Sequence, residues 1–252
     1  MSRPRWWSVL AFAMVLLAAC GGDDGSGRSG EVTVLAAASL TEPFEALDKH
    51  LAEEHPDLEV TFSFGPSSGL VEQVIAGAPA DVLATADTAT MDTADAAGVL
   101  SGPPQVFAHN TLALAVPAGN PGDVTGLADL ARSDLRVAIC EPQVPCGAAA
   151  TAVLDAAGVE AAPDTLTTDV KEATALVSLG EVDVALVYRT DAIAAGDAVE
   201  TVDVAAGEDV VNDYPIAVLA DAANRDGAQI VVDAVTGEAG QELLEAAGFR
   251  TP

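Results

Sequence analysis

Five positions in this 252-residue chain offer hydrogen-bond donors where apolar runs give way to helical stretches. Ser39 follows the run Glu31 to Ala37 and opens Ser39-Leu40-Thr41-Glu42, which has the form of a capping box. Ser67, with Ser68, stands between a second run and a helical stretch, and Gly65 and Gly69 permit close backbone approach. Pro145-Cys146-Gly147 opens a further helix, with free N–H groups just past the proline. Asp169-Val170-Lys171-Glu172 is again a capping box, with the Val170 N–H near the helix mouth. Tyr188 ends a strand-like run, where its phenol can reach into a cleft. Unpaired N–H groups and the helix dipole make a helix start a binding site for anions. Taken singly, each position has an ordinary explanation, because a serine before a helix is usually a cap and a strand-end tyrosine usually packs.

Other chemistry is missing or bounded. There is no P-loop, dinucleotide fingerprint or Gly-x-Ser-x-Gly elbow, and His50, His55 and His109 show no metal-ligand spacing. The chain carries a formal charge of −29, and loss of Arg3 and Arg5 with a leader makes it −31. Such a surface repels nucleic acid, and it repels an anionic ligand too, so an oxyanion site must rely on local, aimed donors.

A leader is expected at the start. Arg3 and Arg5 precede an apolar run from Val9 to Ala19, shorter than the roughly 20 residues of a membrane span. The ending Leu17-Ala18-Ala19-Cys20 resembles the lipobox of bacterial lipoproteins, which implies removal of residues 1–19 and a lipid on Cys20. Residues 20–30 then form a lipidated cysteine and a Gly/Ser-rich tether. With Cys20 acylated, Cys140 and Cys146 remain as an even pair in an oxidising compartment, and a disulfide is expected, two free thiols being the alternative.

These positions need a scaffold, and alternating strand and helix patterns predict an α/β fold with largely parallel sheets. Strands are expected over Glu31–Ala37, Leu58–Phe64, Asp81–Ala84, Thr111–Val116, Arg136–Ile139, Val182–Tyr188 and Tyr214–Leu219. Helices are expected over Thr41–Glu54, Ser68–Ala76, Thr88–Ala97, Gly147–Ala157, Val170–Leu179 and the C-terminal Arg225–Gly248.

Several of these segments together resemble one family. Val34-Leu35-Ala36-Ala37-Ala38-Ser39-Leu40-Thr41, Phe64-Gly65-Pro66-Ser67-Ser68-Gly69-Leu70 and Ala76-Gly77-Ala78-Pro79-Ala80-Asp81-Val82 are similar to segments of the molybdate-binding proteins (ModA) of ABC importers. Glu141 to Gly147, Ala185-Leu186-Val187-Tyr188 and Tyr214-Pro215-Ile216-Ala217-Val218 follow in the family's order. The resemblance implies a two-lobed periplasmic-binding-protein fold of type II, with residues 31–110 plus 212–252 as lobe 1 and 111–211 as lobe 2. It implies that Ser39 and Ser67 donate from the first lobe, and that the Cys146 and Val170 N–H groups and the Tyr188 hydroxyl donate from the second. Cys146 stands where some members have Ala, and Pro66 replaces a Ser and removes a donor. The implied ligand is molybdate or tungstate, with no cofactor, no metal beyond the oxyanion and no catalysis. The implied partners are a permease and an ATPase, for a monomer anchored by lipid to the outer face of the cytoplasmic membrane.

Competing expectations are a binder of sulfate, thiosulfate or phosphate, a thiol enzyme using Cys146, and a surface lipoprotein without a transporter. Protonated phosphate wants an acceptor, which none of the five positions supplies. The thiol enzyme needs a free thiol and a base nearby.

Overall fold

The computed structural model describes residues 30–204 and 210–252, so the leader, Cys20 and most of the tether lie outside the described residues. Two five-stranded sheets form the frame. The first joins β1 (Gly30–Ala37), β2 (Leu58–Gly65), β3 (Val82–Ala84), β4 (Gln105–Asn110) and β10 (Asn212–Val218), in the order β2-β1-β3-β10-β4. The second joins β5 (Leu112–Pro117), β6 (Val137–Cys140), β7 (Thr165–Thr167), β8 (Val184–Tyr188) and β9 (Val199–Val202), in the order β7-β6-β8-β5-β9.

Each sheet is half parallel and half antiparallel, not largely parallel. β2, β1 and β3 run together, as do β7, β6 and β8, whereas β10 runs against β3 and β4 and β5 runs against β8 and β9. The antiparallel strands carry the crossings between sheets, from β4 into β5 at Asn110 and from β9 back into β10 before Asn212.

Helices cover both faces of the first sheet. On one side α1 (Thr41–Glu54), α7 (Arg225–Thr236) and α8 (Glu238–Ala246) lay Phe44, Leu47, Leu51, Val231 and Val235 against Val32 and Val34. On the other, α2 (Ser67–Ile75) and α3 (Thr88–Ala96) lay Leu70, Val74 and Met91 against Leu35 and Leu83. This alternation of Val32, Val34 and Ala36 with Leu35 is the two-residue period of a strand buried on both faces. The second sheet is covered by α4 (Pro145–Ala157), α5 (Val170–Ser178) and α6 (Arg189–Ala194). Gly158 follows α4 with φ of +64°, the left-handed closure glycine allows.

The expected helical C-terminus is two helices, broken at Gly237, where an added Cβ would meet the Asp233 carbonyl oxygen at 2.8 Å. Strands β4, β7 and β9 and helix α6 were not anticipated. β7 has only three residues, and β4 carries Gln105, His109 and Asn110, so neither reads as an apolar run.

Candidate functional site

The parallel strands of the two sheets aim their C-terminal ends at one cleft, where the helices that follow them begin. Ser39 lies in a 3-10 turn (Ala38–Leu40) after β1, Ser67 is the first residue of α2 after β2, and Ala86 follows β3. From the other sheet, Cys146 lies in the first turn of α4, Val170 is the first residue of α5, and Tyr188 ends β8. All five predicted positions, with Ala86, line one cavity of about 20 Å³. So small a space suits a compact ligand better than an extended one.

The first N–H groups of a helix have no acceptor within it, so those at Ser67, Cys146 and Val170 are available to a ligand. Pro66, which also lines the cavity, supplies none. No Lys, Arg or His stands among the lining residues described. The one carboxylate there, Asp169, is occupied: its Oδ1 accepts from the Glu172 N–H at 2.8 Å and caps α5.

Neither serine is a cap. The N-terminal flank of α1 is Leu40 and that of α2 is Pro66, neither with a side-chain cap bond. Ser39 is turned inward by its 3-10 turn, and its Oγ lies 2.9 Å from the Tyr214 hydroxyl. Ser67 Oγ accepts from the Ala86 N–H at 3.1 Å. The capping box at Asp169 is half made, because Glu172 reaches past it to the Thr168 N–H at 2.9 Å.

Each of the three hydroxyls is held from behind by a hydrogen bond. Tyr214 accepts from Asn110 Nδ2 at 3.3 Å and shares a hydrogen bond with Ser39 Oγ in which either oxygen can donate. With Tyr214 as the donor, Ser39 keeps its own hydrogen for the cavity that it lines. Ser67 accepts from the Ala86 N–H and so has its own hydrogen to donate. Tyr188 accepts from Asn212 Nδ2 at 2.9 Å, and Asn212 Nδ2 also donates to the Ala86 carbonyl at 3.1 Å. Burial, with neighbouring Tyr214, Asp87 and Asp191, holds the Tyr188 phenol well above its ordinary pKa, so its proton stays on. Asn110, Asn212 and Tyr214 are residues that sequence reasoning gave no role; Tyr214 lay in a family-like segment, but the partners that matter are up to 175 positions away.

The cavity wall at Cys146 is stiff. Cys140 and Cys146 are joined by a disulfide, S–S 2.12 Å, across the turn Glu141–Pro145. Within the turn, the Val144 N–H donates to the Glu141 carbonyl at 3.1 Å. Gly147 packs so closely that an added Cβ would lie 1.9 Å from that same oxygen. Arg189, next to Tyr188, has a side chain 41% exposed and paired with Asp203, and it is not among the residues lining the cavity.

A family model described as bacterial extracellular solute-binding protein matches residues 32–250. The molybdate-binding protein ModA of Mycobacterium tuberculosis is 38% identical over 201 residues, covering 77% of each chain. The periplasmic molybdate-binding protein of Azotobacter vinelandii superposes with a TM-score of 0.74 at 23% identity, over 88% of this chain and 99% of that one. The sulfate-binding protein SubI of M. tuberculosis superposes with a TM-score of 0.76 at 21% identity, over 88% and 86%. Those two superpositions establish a two-lobed α/β binding-protein fold, and fold alone does not choose between the oxyanions.

Proposed function

The chain belongs to the family of bacterial extracellular solute-binding proteins, and from that membership we propose that it captures molybdate, with tungstate as an alternate ligand, and delivers it to the permease and ATPase of an ABC importer. The observation that carries this reading is the convergence of the Ser39, Ser67 and Tyr188 side chains on one cavity, each held from behind by a hydrogen bond. With the N–H groups of Cys146 and Val170, they make a shell of neutral donors drawn from both lobes. A dianion in such a shell has its charge spread over hydroxyl and peptide dipoles and needs no counter-ion. Selection then rests on size, which admits the near-isosteric tungstate and holds smaller sulfate loosely. The 38% identity to a protein named for molybdate favours molybdate over sulfate.

In this reading the lobes divide at the two crossings, residues 31–110 plus 212–252 against 111–211. The protein works as a monomer anchored through lipidated Cys20 after loss of residues 1–19. Mass spectrometry under native conditions, on protein extracted from membranes and given equimolar molybdate and sulfate, tests the reading. The expected mass is that of a chain beginning at an acylated Cys20 with one molybdate bound. An unmodified chain refutes the anchor, and sulfate in place of molybdate refutes the ligand.

A further inference from the structure

Resting on the reading of the cleft as an oxyanion site between two lobes, we propose that Lys171 is a positioning residue for closure, clasping Glu42 across the cleft so that donors from both lobes stay around the ligand. Glu42 lies in the first turn of α1, three residues after Ser39, and Lys171 directly follows Val170 at the start of α5. Lys171 Nζ donates to both Glu42 oxygens, at 2.5 and 2.6 Å. Among the described residues this is the one ion pair that joins the two lobes.

A second observation fixes the lysine from behind. The Asp191 side chain on α6 has no exposed surface, and its Oδ1 lies 3.4 Å from Lys171 Nζ. That oxygen has no hydrogen-bond partner, the distance being right for an ion pair and the alignment wrong for a hydrogen bond. Among the described residues the other oxygen accepts only from Thr190 Oγ1, at 3.5 Å, and burial pushes the carboxyl up to about 7, so the charge it carries is costly and Lys171 is the cation that offsets it. Asp191 therefore holds the ammonium at the lip of the cleft, where Glu42 meets it when the lobes close.

Neither Glu42 nor Lys171 lines the cavity, so the clasp leaves selectivity alone. It acts on the equilibrium between open and closed forms, since opening separates the pair. Release of ligand requires opening, so the effect falls on dissociation.

Lys171→Met strands the buried Asp191 and can unfold its lobe, so Glu42→Gln is the decisive variant. Stopped-flow release of molybdate is expected to be about two- to five-fold faster in Glu42→Gln, the range of a partly exposed ion pair. The molybdate-to-sulfate affinity ratio and the melting temperature of the ligand-free chain are expected to match the wild type. Unchanged release overturns the clasp. So does a ligand-free melting temperature that falls as far as the ligand-bound one, because the contact is then merely structural. If the wild type binds none of these anions, the function proposed above fails, and the clasp is judged on ligand-free protein carrying one spin label per lobe. A smaller closed fraction in Glu42→Gln supports it there, and equal fractions overturn it.

Discussion

At the scale of single residues, what matters is which way each hydroxyl sends its hydrogen. Tyr188 has one proton and one bonded donor, Asn212, so removing its oxygen deletes a donor to the ligand and frees Asn212 Nδ2 from one acceptor. Tyr188→Phe is expected to weaken molybdate binding by about 1.5–3 kcal/mol, the usual worth of a hydrogen bond to a charged group. Ser39→Ala is expected to cost the same range, since it also leaves Asn110 as the hydrogen-bond partner of the Tyr214 hydroxyl in place of two. Calorimetry reads both, and affinities within two-fold of wild type would remove these residues from the site. The sequence made the donor positions legible, because a strand end followed by a helix start is a local device. It misread Ser39 as a cap, because only the buried 3-10 turn and the distant Tyr214 decide where that side chain points.

At the scale of elements, the cleft is built from strand ends and helix starts, and its rigidity comes from what joins them. Every phenylalanine and tyrosine of the described residues lies in one contact chain, from Phe64 through Phe62, Phe44 and Phe107 to Tyr214, which meets both Phe249 and Tyr188. The first lobe's core thus runs without a break into the floor of the site. On the opposite wall the Cys140–Cys146 disulfide sets the first turn of α4, and with it the Cys146 N–H. Reduction, or a double Cys→Ser substitution, is expected to lower stability to denaturant by about 2 kcal/mol, the loop-closure value for so short a span. Molybdate affinity is expected to fall as well, because the turn then samples other positions. Two thiols titrating in the native protein would contradict the bond itself. The long helices and apolar strands could be read from their periods, whereas β7 and the antiparallel pairings could not. Pairing direction depends on where the chain crosses between lobes, and no window of a few residues contains that information.

At the scale of the molecule, an acidic chain is proposed to bind an anion, and the two facts are compatible only because the site is local. The formal charge of −29 repels molybdate at a distance, while hydroxyls and helix starts from both sheets converge on one cavity. Two-lobed architecture follows from that requirement, since donors on a single sheet approach an ion from one side only. The central claim is that a size-matched shell of neutral donors selects molybdate and tungstate. Isothermal titration of the leaderless chain with molybdate, tungstate, sulfate and phosphate tests it most directly. The predicted result is tight, near-equal binding of molybdate and tungstate, much weaker sulfate and no detectable phosphate; sulfate binding as tightly as molybdate would contradict the claim.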